Sequence, residues 1–212
     1  MTDAATMAVA RRVFEAANAS LCASLSSAGL PVTPLLGGVF CAEVADAALG
    51  LVGEIRSLQM AGVEAALAAG RVPVLTSLGL SAAGATLNIN ADVAARELAV
   101  ALRPLRVVYI SAGGGWREAG AVVAEVDLAA DYDAWVARDY EGRQGTLLKL
   151  KEMKMLIDRL PPRSSVTIAC AEALAAHCAA QSICSTVGTA SSAPETFNVP
   201  KVPIAPIIGM TM

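Results

Sequence analysis

The sequence predicts an α/β fold, a three-layer αβα sandwich in which helices cover a mainly parallel sheet. Three observations predict it. A helical stretch over residues 60–69 passes through Gly70 into the apolar run Val72-Pro73-Val74-Leu75-Thr76, the helix-then-strand order of parallel sheets. The chain is 55% hydrophobic but only 4% aromatic, so its core is built from Ala, Val and Leu, which suits close-packed helices laid on strands. Its 212 residues suit one such domain or part of a larger one.

The elements follow in order. Residues 4–27 read as a helix that Thr2 or Asp3 could cap, with Val9, Val13, Ala17 and Leu21 as its apolar stripe. Gly29-Leu30-Pro31 ends it. Residues 32–40 are strand-like around Gly37-Gly38, and Leu49-Gly50-Leu51-Val52-Gly53 is extended between glycine hinges. The helix over 60–69 has Gly70 where a C-cap glycine belongs. Residues 79–84 form a turn-rich loop, 85–89 a short strand, and 91–102 a helix that Pro104 stops. Arg106 to Ser111 is a buried strand feeding Ala112-Gly113-Gly114-Gly115. A strand over 122–126, helices over 127–136 and 146–160, a break at Pro161-Pro162, a strand over 164–169 and a helix over 171–180 complete the pattern. From Ser185 the chain turns Ser-, Thr- and Pro-rich, so residues 185–212 are expected to be an irregular, loosely attached tail.

Charge and composition exclude several functions. Net charge is −3 and Lys and Arg gather in no stripe, so nucleic acid is not an expected partner. Mean hydropathy is +0.56. The uncharged stretch 72–91 nevertheless contains Pro73, Gly79, Gly84, Asn88 and Asn90, which suits strand and loop, and no membrane association is expected. Met1-Thr2-Asp3 places an acid where targeting segments carry basic residues. The five cysteines show no CxxC spacing, so neither a disulfide framework nor a metal site is expected. Cys170, His177 and Cys178 read as small residues of an Ala-rich helix.

Three segments could carry chemistry. In Asn88-Ile89-Asn90-Ala91-Asp92, two amides and a carboxylate stand where a strand gives way to a helix, whose unpaired amides favour an anion. The plain alternative is that Asn90 or Asp92 is a helix cap. Ser111 to Gly115 is a strand running into glycines, which permits close approach to a phosphate but matches neither GxGxxG nor a P-loop, and serves equally as a turn. Gly142-Arg143-Gln144-Gly145 leads into a helix bearing Lys149, a point charge suited to a phosphoryl oxygen or simply to solvent; Lys151 and Lys154 read as solvated.

Taken in sequence, these segments resemble the amino acid kinase family. Residues 70–76 with 87–95 are similar to acetylglutamate kinase, and residues 49–55 and 150–166 resemble its fungal, mitochondrial-type form. The resemblance implies an amino acid kinase-like sandwich over residues 1–184. It implies phosphoryl transfer from ATP, with Mg2+, to the side-chain carboxylate of N-acetylglutamate in arginine biosynthesis. It assigns Lys149 and Asp92 as catalytic, with Lys149 stabilising the transferring phosphoryl group and Asp92 orienting the catalytic lysines. Asn88 and Asn90 become substrate-binding, and Ser111, Ala112, Gly113, Gly114, Gly115, Gly142, Arg143, Gln144 and Gly145 line the nucleotide. Where the family loop often has an acid, this chain has Ala112. The resemblance also implies a possible arginine effector, a homo-oligomer, and a mitochondrial matrix location if the source is eukaryotic, cytoplasmic otherwise.

The family's leading strand, with its lysine and glycine pair, and its substrate-clamping arginine find no match, so the chain is expected to start inside the domain and to leave a raw apolar sheet edge. A second reading is a non-catalytic regulatory domain of the acetylglutamate synthase type; a third is an unrelated Ala-rich α/β domain. On the first reading, the carboxylate at 92 and the ammonium at 149 converge on one phosphate-sized space. The isolated chain should show little or no N-acetylglutamate-dependent release of ADP from MgATP; turnover at an ordinary enzymatic rate overturns the expectation.

Overall fold

The computed structural model describes residues 1–112, 114–115, 117–118, 121–123, 125–128, 130–138, 143–174 and 185–187. They fall into two compact units, the first from Met1 to Ala94 and the second from Ala95 onward.

The first unit opens with α1 (Ala4–Ser27), capped by Asp3, whose carboxylate accepts the Thr6 amide at 2.7 Å. That backbone N–H holds the Asp3 carboxyl below its usual range. The cap's contribution is therefore present above the ordinary carboxylate pKa and is lost as pH falls toward the depressed folded value. The helix is turned differently from the expected stripe. Ala17 and Leu21 are half-buried, but Val9 and Val13 are 51% and 45% exposed, and the buried positions are Met7 and Asn18. The reason is polar: Asn18 Nδ2 donates to the Val74 carbonyl at 2.9 Å, and its Oδ1 accepts from the Cys22 thiol at 3.5 Å. A buried amide must find partners, so it fixes the helix rotation that apolar periodicity left open.

Beneath α1, β1 (Val32–Leu35) pairs in parallel with β4 (Val72–Leu75), Val32 opposite Val72. Val32, Val72 and Val74 pack against Leu21, Cys22 and Leu25. Between these strands lie β2 (Phe40–Val44), a 3₁₀ turn (Ala47–Leu49), β3 (Gly53–Leu58) and α2 (Ala61–Ala68). Gly70 ends α2 in the left-handed region (φ +65°), with its amide on the Leu67 carbonyl and that of Arg71 on the Ala66 carbonyl. This is the C-cap expected of that glycine. β5 (Leu78–Leu80) and β6 (Thr86–Asn88) complete a four-stranded sheet in the order β3-β2-β5-β6, in which β2 and β5 are parallel and both flanking pairs antiparallel. The loop expected over 79–84 is thus a tighter hairpin. Gly79 is inside β5, and the turn closes with the Gly84 amide on the Ser81 carbonyl at 2.9 Å.

α3 (Ala91–Leu102) leads into β7 (Arg106–Ile110) of the second unit. Arg103, at φ +51°, and Pro104 stop the helix. Next come β8 (Arg117–Glu118), β9 (Ala121–Val122), β10 (Glu125–Val126), α4 (Tyr132–Ala137), α5 (Arg143–Ile157), β11 (Ser165–Ala169) and β12 (Ser185–Val187). The expected strand over 122–126 is divided between β9, the partner of β8, and β10. The larger sheet runs β10-β12-β11-β7, with β7 and β11 parallel in register from Arg106/Ser165 to Ile110/Ala169. Residues 185–187, read from sequence as the head of an irregular tail, form β12; residues 188–212 lie outside the described residues.

Trp135, Leu150, Met153, Leu156 and Ile157 bury one face of this sheet with Tyr109, Val166 and Ile168. The strand over 106–111 is therefore not buried throughout. Tyr109 is 8% exposed, but Val108 and Ile110 are 42% and 53% exposed. Successive side chains point to opposite faces, and this core covers only the Tyr109 face.

Two glycines of the first unit are set by space. A Cβ on Gly79 would stand 2.9 Å from Ala42 Cβ and Ile89 Cδ1, and one on Gly53 would stand 2.7 Å from Ile89 Cδ1. Gly79→Ala should lower the unfolding free energy by about 1–3 kcal/mol through overpacking, as read from the urea midpoint. An unchanged midpoint would show that Ile89 yields freely.

Candidate functional site

Ile89 is the anchor of the candidate site. It is 2% exposed, its amide donates to the Ser77 carbonyl at 3.0 Å, and its side chain fills the space over Gly53 and Gly79. Leu87 is fully buried on the same side. Strand alternation then sends Asn88 and Asn90 the other way, Asn88 half-buried and Asn90 exposed. The Asn88 amide is held by the Leu51 carbonyl at 2.8 Å.

At the head of α3, Asn90 Oδ1 accepts the amides of Asp92 at 2.9 Å and Val93 at 3.2 Å, and the Asn90 carbonyl takes the Ala94 amide at 2.9 Å. Asn90 is thus the N-cap, the alternative that sequence left open, and its Nδ2 donors are not part of that cap. Asp92 lies half-buried in the first turn, where the helix dipole favours a carboxylate. The arrangement offers amide donors beside a fixed carboxylate at the mouth of a helix.

At the carboxyl end of β7, the Ser111 amide donates to the Ala169 carbonyl at 2.8 Å, carrying the β7/β11 ladder one residue further. The Gly114 amide then returns to the Ser111 carbonyl at 3.0 Å. Gly114 has φ +74° with open space where a Cβ would stand, so the backbone angle rather than crowding requires glycine. Ala112 is exposed and Gly115 half-buried; Gly113 lies outside the described residues. Ligands of open α/β sheets bind at such strand ends.

The glycine turn expected before α5 is shorter than the sequence suggested. Arg143, Gln144 and Gly145 already belong to the first turn of α5, and Gly142 lies outside the described residues. The first amides of a helix need no intrahelical partner, so a glycine in that turn is tolerated. Lys149 is half-buried on α5, Lys151 is exposed, and Lys154 pairs with Asp158 at 2.6 Å. Asp92 belongs to the first unit and Lys149 to the second. His177 and Cys178 lie outside the described residues. No helix among the described residues is long and apolar enough to cross a membrane.

The second unit also contains a charge network that sequence reading missed. Arg96 of α3 meets Glu152 of α5, Nε to Oε2 at 2.7 Å, and both side chains are within a tenth of full burial. Arg96 also reaches Glu97 at 2.7 Å, and Glu97 takes both arms of Arg159 at 2.8 and 3.2 Å. The pairing spans 56 residues, and the only local trace of it is an arginine placed among alanines.

Residues 1–115 match the amino acid kinase family. The chain is 38% identical over 170 residues to the acetylglutamate kinase of Xanthomonas campestris pv. campestris, covering 79% of this chain and 40% of that protein. It is 42% identical over 171 residues to Protein arg11, mitochondrial, of Schizosaccharomyces pombe, covering 79% of this chain and 19% of that one. The chain therefore spans well under half the length of these relatives. Among solved structures, it superposes on the N-acetylglutamate synthase of Neisseria gonorrhoeae complexed with coenzyme A and L-arginine, with TM-score 0.62 and 20% identity over 76% of this chain and 38% of that one, a likeness of fold.

Arg96→Ala leaves Glu152 buried without its partner and should cost about 3–5 kcal/mol of stability in urea denaturation. Arg159→Ala, on the exposed end of the network, should cost under about 1 kcal/mol. Equal losses would show that burial does not govern the network.

Proposed function

We propose, from the premise that this chain belongs to the amino acid kinase family, that it carries the acetylglutamate kinase type of site: transfer of the γ-phosphoryl group of MgATP to the side-chain carboxylate of N-acetylglutamate, as in arginine biosynthesis. The observation that carries the proposal is the head of α3, where a buried Ile89 fixes the chain and the Asn90 cap on the Asp92 and Val93 amides sets the helix start, so that Asn88, Asn90 and Asp92 stand together there. In this reading Asn88, with the free Nδ2 donors of Asn90, receives the acetylated amino acid, and Asp92 orients the cationic groups. A carboxylate oxygen of the substrate bonds to the γ-phosphorus as the bond to the leaving oxygen breaks, and ADP departs. Lys149 places its ammonium on the charge that the phosphoryl oxygens carry, so its contribution is electrostatic and involves no covalent intermediate. The turn from Ser111 through Ala112, Gly114 and Gly115, and the first turn of α5 at Arg143, Gln144 and Gly145, supply backbone amides to the nucleotide.

In α3, Arg96 stands one turn beyond Asp92; in α5, Glu152 stands one turn beyond Lys149. The mitochondrial name of the fungal relative supports a mitochondrial matrix site of action if the source is eukaryotic.

The second reading, a regulatory domain that binds arginine, is favoured by the fold likeness to a synthase whose structure contains L-arginine. Titration calorimetry of the chain with MgATP, N-acetylglutamate and arginine separates the two. The kinase reading expects MgATP binding that Lys149→Ala weakens about tenfold, the worth of one charge-assisted contact, with the melting temperature unchanged. Arginine binding without MgATP binding overturns it in favour of the regulatory reading.

A further inference from the structure

Among the described residues, Arg96 and Glu152 are the charged side chains buried in the second unit, 8% and 6% exposed. Around them, Ala95, Ala99 and Val100 of α3 pack with Leu150, Met153 and Leu156 of α5 and with the sheet. Such contacts are attractive but not directional, and alanines give a helix shallow ridges, so they set the separation of two helices better than their register. A slip of α5 by one residue moves each of its side chains about 1.5 Å along the axis and about 100° around it.

The bridge removes that freedom. Arg96 Nε must meet Glu152 Oε2, Arg96 also holds Glu97, and Glu97 holds Arg159 just past the end of α5. One chain of alternating charges therefore grips α5 near its middle and again beyond its end. Arg96 or Glu152 left unpaired would be a buried charge without its partner, so a shifted register is strongly disfavoured. Lys149 is three residues before Glu152 on the same face of α5 and is carried wherever Glu152 is fixed.

We propose that Arg96 and Glu152 are positioning residues for Lys149: their bridge fixes the register of α5 against α3, and thereby the place of the ammonium that meets the phosphoryl group. This rests on the reading of Lys149 given above. A displacement of about 1 Å at a reacting centre can cost on the order of 100-fold in rate, so a register device of this kind bears on the chemistry.

The test is a double-mutant cycle on MgATP affinity, read by titration calorimetry, with melting temperature as the control. Arg96→Met with Glu152→Leu replaces the bridge by apolar groups of similar size and should leave the melting temperature equal or higher. Lys149→Met should weaken MgATP binding about tenfold in the unsubstituted chain and less than about twofold in the bridge-replaced chain. If the apolar pair does not fold, Arg96→Lys serves instead. A single ammonium keeps a charge opposite Glu152 but cannot also hold Glu97, and the effect of Lys149→Met should fall below tenfold.

A full tenfold effect of Lys149→Met in either altered background overturns the positioning role while leaving the reading of Lys149 intact. No effect of Lys149→Met in the unsubstituted chain, or no MgATP binding there, overturns that reading and the positioning role with it.

Discussion

The seating of Ile89 over Gly53 and Gly79 is the constraint on which the first unit's site depends. Both glycines lack the one atom that would collide with it. Because Ile89 is fixed, the alternation of an extended chain fixes Asn88 and Asn90 on the opposite side, and the Asn90 cap fixes where α3 starts. A single apolar contact of high density thus decides the placement of polar groups that make no contribution to the core themselves. Packing at native density transmits position in this way because it leaves no slack to absorb a shift.

The second unit solves a related problem with charge. Among the described residues, its core is assembled from Leu, Ile, Val and Met with Tyr109 and Trp135, packed on Ala99 of α3. Burying Arg96 and Glu152 there adds little net stability, since desolvation offsets most of their attraction. What the pair supplies is direction, which aliphatic contacts lack. The two units show two ways of holding a polar site in place, one by excluding atoms and one by demanding partners.

Much of this was legible in the residues. The span of α1 is the expected 4–27, with Asp3 as its cap, and α3 covers the expected 91–102. Gly70, β4 and β6 also stand where local patterns put them, since a C-cap glycine, a short apolar run and an amide-rich strand end act through near neighbours. The family resemblance carried by Asn88 to Asp92 agrees with the match over residues 1–115, and the α/β class with it. Other features were not legible. Val9 and Val13 face solvent because Asn18 needs the Val74 carbonyl, a partner 56 residues away. Val108 and Ile110 are exposed because the core of their sheet covers the opposite face.

By itself, the sequence determined the main helices α1 and α3 with their ends, the strands β4 and β6, which family the chain belongs to, and which polar residues stand at the head of α3. Caps, periods and glycine angles are set within a few residues of each other, so they can be read from a string. Only the tertiary structure decided how α1 is rotated, which face of β7 is covered, why Gly53 and Gly79 cannot carry a side chain, and that Arg96 meets Glu152. Each of these depends on two groups far apart in the chain arriving within a few ångströms, and buried polar groups and close-packed glycines acquire their meaning from the partner rather than from their neighbours in sequence.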